Sequence, residues 1–319
     1  MKRFLFRVLL PVIVVLSTLF FCGECYLRSL PNDFKSKAEY MNEHAKEIKI
    51  LVSGSSCTAM GVKPACFDWQ PSYSCAYANQ SFYYSYLILD KYIDQMDSLR
   101  WVILDATYAG LWSTGKFAQT FLKKYSIYYE LDNFKGFENR YELSANSEDI
   151  YKRLTHESDR AAFTTCDQDG FQSRYFEALP YDDYKWKIYG KSHCQDDHTL
   201  IDEENACQIC DSNTVILKRM ITLCEDHGVK VLFVSTPCHP YYYEYYNPIQ
   251  KGIVDSTYSA LSKEYDNVKW MDFTTSNDYG NDMLSNVNHL NTKGAIKFTK
   301  MLNDSILLWE KNNSFSDCY

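Results

Sequence analysis

The sequence has no surplus of positive charge. Its 33 lysines and arginines are outnumbered by 41 aspartates and glutamates, for a formal net charge of −8, so it carries no electrostatic footprint for nucleic acid. There is no internal repeat, which sets aside solenoids and propellers. With 12 glycines and 8 prolines in 319 residues, no low-complexity linker divides it. Nor is it disordered material, since 46% of residues are hydrophobic and 23% charged. Cysteine is not scarce, but regular cysteine spacing is. Ten of the 12 cysteines run from Cys57 to Cys318, too dispersed for a small stapled scaffold. "CQIC" at 207–210, with His193, Cys194 and His198 upstream, comes nearest to a zinc pattern. Its spacing is irregular, so disulfides or free thiols are preferred, and neither metal nor organic cofactor is expected.

What the chain does have is aromatic rings, 16% of residues with 27 tyrosines. That abundance suits sugar stacking and equally suits a genome-wide bias in composition. It also has a marked start, "MKRFLFRVLLPVIVVLSTLFFC". Lys2, Arg3 and Arg7 precede an apolar run from Val8 to Cys22, which Phe4–Phe6 lengthen if Arg7 snorkels toward the head groups. A cleaved signal peptide fits this pattern. An uncleaved signal anchor over 1–27 fits it better, and either way everything after about residue 25 is exported. The membrane is thus an expected partner.

Beyond the leader, strand-like runs alternate with helical patterns. The runs are "IKILVSG" (48–54), a weak "SCAYANQS" (74–81), "RWVILDAT" (100–107), "VKVLFVSTP" (229–237) and "VKWMDFT" (268–274). Short apolar runs of this kind read as buried strands of a mostly parallel sheet. Residues 81–96 and 213–228 have helical spacing, the second stopping at Gly228, and a last helix opens with Asn291 or Thr292 as its cap. The expectation is a three-layer α/β/α domain over 28–319. The polar, Tyr- and Asp-rich stretch from about 110 to 210 reads as an insertion over the C-terminal edge of the sheet, where ligand crevices of such sheets lie.

Two motifs flank this pattern. "GSSC" (54–57) follows the first strand and "SNVNHLNTKGA" (285–295) follows the last. Loops after the first and last strands of a parallel sheet open on the same edge. Ser56 and His289 can therefore meet, and a serine hydroxyl becomes a nucleophile when a histidine takes its proton.

With these residues the chain resembles the SGNH/GDSL hydrolase superfamily over most of 45–310, and more closely its exported branch in bacterial envelope-polysaccharide systems. Gly54-Ser55-Ser56 matches the family's G-x-S. Asn286-Val287-Asn288-His289 with Gly294 partly matches its D-x-x-H and glycine-bearing helix start. "GSSCTAMGVKP", "ANQS" and "STPCHPYYY" are similar to blocks of that branch. The resemblance implies removal or transfer of acyl groups, often acetyl, on sugars. It implies Ser56 as nucleophile, His289 as base and Asn286 as orienter. It further implies that the Ser56 N–H and Asn79 hold the oxyanion, with Gly54 and Cys57 beside them.

Two departures stand out. Asn286 replaces the family's aspartate, leaving Asp282 or Asp278 as substitutes at the wrong spacing. Cys57 replaces the branch's usual histidine, and its thiol is reactive only if its pKa is lowered. After the third strand the family's oxyanion asparagine is missing, and "DATYAG" offers Thr107, Tyr108 and Gly110. Asp105, ending that strand, reads as a loop cap, and His239 either lines a substrate groove with Tyr241–Tyr243 or belongs to a packed loop. The reading is therefore a membrane-anchored serine esterase or O-acyltransferase facing out of the cytoplasm, with an acylated polysaccharide or sugar as substrate. The alternative is a catalytically impaired carbohydrate-binding or scaffold relative.

Overall fold

A computed structural model describes residues 2–114, 119–131, 140–144, 166–173, 182–198 and 204–316. The chain divides into two compact units, 1–39 with 118–165, and 40–117 with 166–319.

The first unit contains α1 (Lys2–Ser29). Its segment Phe6–Ser29 is long and apolar enough to cross a membrane, with a mean hydropathy of 2.2. Apolar side chains from Phe4 to Phe21 stand exposed. At the helix's end, Glu24 is buried and accepts the N–H groups of Glu142 and Leu143, each at 3.0 Å, and the Arg28 Nε at 2.6 Å. The bare stretch is thus about the ~30 Å thickness of a bilayer core at 1.5 Å per residue.

Helix α2 (Asp33–His44) leads toward the second unit's elements. These are β1 (Ile50–Ser53), α3 (Ser56–Gly61), β2 (Ser72–Ser74), α4 (Phe82–Tyr92) and β3 (Trp101–Asp105). Helix α5 (Gln119–Tyr128) lies within the first unit. Then follow α6 (Asp183–His198), α7 (Ala206–Asp226), β4 (Lys230–Ser235), α8 (Pro240–Tyr243), α9 (Pro248–Glu264) and β5 (Val268–Asp272). The chain closes with the hairpin β6 (Leu284–Asn286) and β7 (His289–Leu290), then α10 (Thr292–Ser316).

The five strands β1–β5 form one parallel sheet in the order β2-β1-β3-β4-β5. The expected α/β fold is therefore present. The weak second strand lies earlier than 74–81. It pairs with β1 over Ser72–Ser74 and then continues as extended backbone, where the Cys75 and Tyr77 N–H groups donate to the Val52 and Gly54 carbonyls at 2.8 and 3.1 Å. Strands β1 and β3 are buried at every position, so alternate side chains feed two cores. Ile50, Val52, Trp101, Ile103, Leu232 and Val234 pack with Phe298, Leu302 and Ile306 of α10. The intervening residues, such as Phe233, face the other layer, where Tyr258 of α9 meets the Phe233 ring at 5.1 Å and α4 packs against α7.

The helix ends follow local chemistry. Gly228 adopts a φ of +68° beyond α7, and the Gly228 and Val229 N–H groups bond the Glu225 and Cys224 carbonyls at 2.9 and 2.8 Å, a Schellman stop. Asn291 caps α10, its Oδ1 accepting the Gly294 N–H at 3.0 Å. Of the stretch 110–210, several segments lie outside the described residues. Its described residues include α5 and α6 and no strand.

In a 2-1-3-4-5 sheet the chain leaves β1 toward one edge and crosses back to build β3 and β4 on the other side. The loops after β1 and β3 therefore part, and a crevice opens at their C-terminal ends. Ser56 and Asp105 lie at the two lips of that crevice.

Candidate active site

The end of β1 is shaped around one carboxylate. Gly54 has a φ of +126°, and a Cβ there would lie 2.0 Å from Asp105 Oδ1, so only glycine lets the chain pass this close. Asp105, 2% exposed, accepts the Ser55 N–H and the Ser55 hydroxyl at 2.9 Å each, and the Thr107 hydroxyl at 3.3 Å. Burial raises its pKa, and these hydrogen bonds oppose the rise. Ser55 caps α3 through the Cys57 N–H at 3.4 Å, leaving Ser56 as the first helical residue. Gly54 does not line the pocket, and its contribution is conformational. Gly54→Ala is expected to cost ~1–3 kcal/mol in backbone strain before the displaced carboxylate is counted, read as a lower midpoint of thermal unfolding with loss of any Ser56-dependent activity.

The other partner comes from the β6–β7 hairpin, where Asn286 pairs with His289 across a two-residue turn. The His289 Nε2 lies 2.7 Å from the Ser56 Oγ, and its Nδ1 lies 2.9 Å from the Asn286 Oδ1. Residues 233 positions apart in the chain are thus within one proton's reach. The same Asn286 oxygen accepts the Asn288 N–H at 3.1 Å, closing an Asx turn. A backbone N–H can only donate, so this bond turns the amide's oxygen, and not its NH₂, toward the histidine. Nδ1 then carries the ring's proton, and the Nε2 lone pair faces the serine hydroxyl.

Electrostatics follow from burial. Without a carboxylate partner, desolvation first and the nearby His193 second bring the His289 pKa down to about 4, so the ring is neutral near pH 7. Cys57 is buried, with its thiol 3.6 Å from the Asn288 carbonyl. Desolvation first, then Asp105, push it up to about 12. It is a packing thiol and not a second nucleophile. Cys22, Cys25, Cys57, Cys66, Cys207, Cys210, Cys224 and Cys238 are free thiols, and Cys318 lies outside the described residues. Among the described residues, no group of three His, Cys, Asp or Glu gathers at metal-binding range.

Donors for an oxyanion are partly in place. Ser56 sits in the first turn, where an N–H has no acceptor within the helix. Asn79 lines the same pocket with a φ of +56°, a left-handed conformation that asparagine tolerates. The three candidates after β3 have other engagements. The Gly110 N–H donates to the Thr107 carbonyl at 3.1 Å, Thr107 donates to Asp105, and the Tyr108 hydroxyl accepts the Asn247 N–H at 2.8 Å.

One expected site residue needs correcting. His239 does not line the groove. It is 7% exposed, its ring stacks on Trp186 at 5.0 Å, and both ring nitrogens are occupied. Nδ1 accepts the Tyr241 N–H at 3.1 Å, and Nε2 meets Asn281 Oδ1 at 3.0 Å. Its backbone N–H donates to the Val287 carbonyl at 2.7 Å, so it supports the hairpin that carries His289. Of its tyrosine neighbours, Tyr242 lines the pocket, while Tyr241 bonds Asp183 at 2.9 Å. Asp282 pairs with Lys293, and the Asp278 carbonyl accepts Lys297 at 2.6 Å; neither replaces Asn286.

A cavity of about 270 Å³ opens over Ser56 and His289. Its walls include Asn79, Thr107, Tyr242 and, unforeseen, His193 and Asp197 of α6. The sequence placed His193 only in an irregular zinc-like pattern and gave Asp197 no role, because α6 reaches the sheet's edge only through tertiary packing. Asp105 did carry a signal: it is a carboxylate ending a strand buried at every position.

A family profile described as DltD protein matches residues 216–306, the stretch that holds Asn286 and His289. No curated protein matches the chain. Among solved structures, one assigned as an acylhydrolase from Bacteroides fragilis NCTC 9343 is 12% identical, with 83% of this chain and 93% of its own aligned at a TM-score of 0.37. A GDSL-like lipase from Bacteroides thetaiotaomicron VPI-5482 is 11% identical, with 87% and 99% aligned at 0.40. The profile match, over less than a third of the chain, agrees with the resemblance to the SGNH/GDSL hydrolase superfamily.

Proposed function

We propose that this protein is a serine esterase or O-acyltransferase acting on small acyl groups, acetyl foremost, of an exported or cell-envelope polysaccharide. The observation that carries this reading is the line from Ser56 Oγ through His289 to Asn286, at 2.7 and 2.9 Å. In the proposed reaction His289 Nε2 takes the Ser56 proton as Oγ attacks the acyl carbonyl. The oxyanion develops against the Ser56 N–H and Asn79. Collapse expels the sugar oxygen, which receives the proton from His289 and leaves an acyl-Ser56 ester. Water or a second sugar hydroxyl then gives up its proton to His289 and takes the acyl group, and His289 returns that proton to the departing Ser56 Oγ.

Pocket size supports a short acyl chain, since about 270 Å³ falls at the lower edge of the ~300–1,000 Å³ typical of ligand sites. Its lining holds, among the described residues, no lysine or arginine, so no cation there would pair with an anionic acyl group. With α1 as anchor and Lys2, Arg3 and Arg7 retained inside, the domain would act outside the cytoplasm.

The neutral amide at Asn286 favours a second reading, a catalytically impaired glycan-binding scaffold. Turnover of p-nitrophenyl acetate, with and without an oligosaccharide acceptor, separates the possibilities. Release to water marks an esterase, and acceptor-dependent acetylation marks a transferase. Glycan binding with neither activity marks the scaffold.

A further inference from the structure

We infer that His193, outside the serine–histidine pair, is a positioning residue that makes Asn286 usable in place of a carboxylate. This rests on the catalytic reading above and deepens it. A carboxylate has no wrong end, whereas an amide orients the base only if its oxygen faces the ring. Here that orientation depends on the Asn288 N–H, at 3.1 Å from Asn286 Oδ1. Asn288 therefore has to be held at the hairpin tip.

The tip is held from three sides. The His239 N–H bonds the Val287 carbonyl at 2.7 Å and the Cys57 thiol approaches the Asn288 carbonyl at 3.6 Å. Among the described residues, the hydrogen-bond partner of the Asn288 side chain is His193, whose Nε2 lies 3.1 Å from Asn288 Nδ2. The other end of that amide, Oδ1, is buried without a partner, so His193 alone fixes the amide. His193 is in turn set by ring contacts with Tyr189 at 5.5 Å and Tyr242 at 5.8 Å. A continuous path thus runs from α6 through Asn288 and Asn286 to the base.

The test uses the full-length chain in detergent, labelled with ¹⁵N-histidine, the His289 signals being assigned by their loss in His289→Gln. Imidazole ¹⁵N shifts report the His289 tautomer without requiring turnover. Wild type is expected to show the Nδ1–H form alone. His193→Leu should show both tautomers and a kcat lower by about tenfold, the worth of one neutral hydrogen bond, with KM unchanged. His193→Gln, which keeps an acceptor for Asn288, should restore both readouts. In the Asn286→Asp background His193→Leu should leave the tautomer unchanged. A single Nδ1–H tautomer in His193→Leu would overturn the proposal, as would an equal mixture of tautomers in both backgrounds. Absence of Ser56-dependent turnover in every variant would instead overturn the catalytic reading, with the tautomers still deciding the positioning role.

Discussion

Replacing Ser56 by alanine is expected to lower kcat/KM for p-nitrophenyl acetate by ~10⁴-fold while leaving the fold intact. The magnitude comes from the serine protease template, where loss of the nucleophile costs ~10⁶ in turnover and the residual rate stems from oxyanion donors and binding. Part of that acceleration is already forfeited here, because the third member is the neutral Asn286. The remainder is nonetheless large, since the Ser56 hydroxyl already lies 2.7 Å from a neutral imidazole nitrogen. Ser56 is the half-buried first residue of a short helix and buries nothing large, so the substitution should leave the thermal midpoint nearly unchanged. A steady-state assay beside a melting curve checks both statements.

The second large effect runs the other way. Asn286→Asp is expected to raise kcat/KM by about 10- to 10²-fold. In the template, changing the orienting aspartate to asparagine costs ~10⁴-fold because the amide favours the wrong tautomer. The Asn288 N–H removes that fault here by holding the Asn286 oxygen toward Nδ1. What is missing is charge, and a charge-assisted hydrogen bond exceeds a neutral one by ~1–1.5 kcal/mol, about tenfold in rate. The pH profile gives an independent reading. The base must be neutral to act, so wild-type kcat/KM should stay level as pH falls from 7 and decline only near the His289 pKa of about 4. An aspartate at 286 favours the imidazolium, so the acid limb should move up toward the ordinary histidine range. A profile whose acid limb stays in place would mean that residue 286 does not face the ring.

Much of the architecture was legible because it rests on local pattern. Ile50–Val52, Val102–Leu104 and Val231–Val234 are apolar runs bounded by turn residues, and each is a buried strand of the sheet. Gly228 and Asn291 marked helix ends through their own backbone and capping chemistry. The second strand was displaced because half of it is irregular extended backbone held by β1. The convergence of Ser56 and His289 was legible from topology, since loops after parallel strands share an edge. His239 was misplaced because a histidine beyond a strand end looks the same whether it faces a groove or stacks on Trp186 from α6. The placement of His193 and Asp197 had no local signature, for α6 follows a stretch without strand periodicity. The orientation of the Asn286 amide depends on a single backbone N–H, which no side-chain pattern records.

The most direct measurement is the site of covalent modification by a fluorophosphonate probe, mapped by peptide mass spectrometry on the full-length protein. A nucleophilic hydroxyl activated by a neighbouring imidazole should carry the adduct on Ser56 alone, and His289→Gln should slow its formation by orders of magnitude. No adduct at Ser56, or labelling that proceeds equally well without the histidine, would contradict the account.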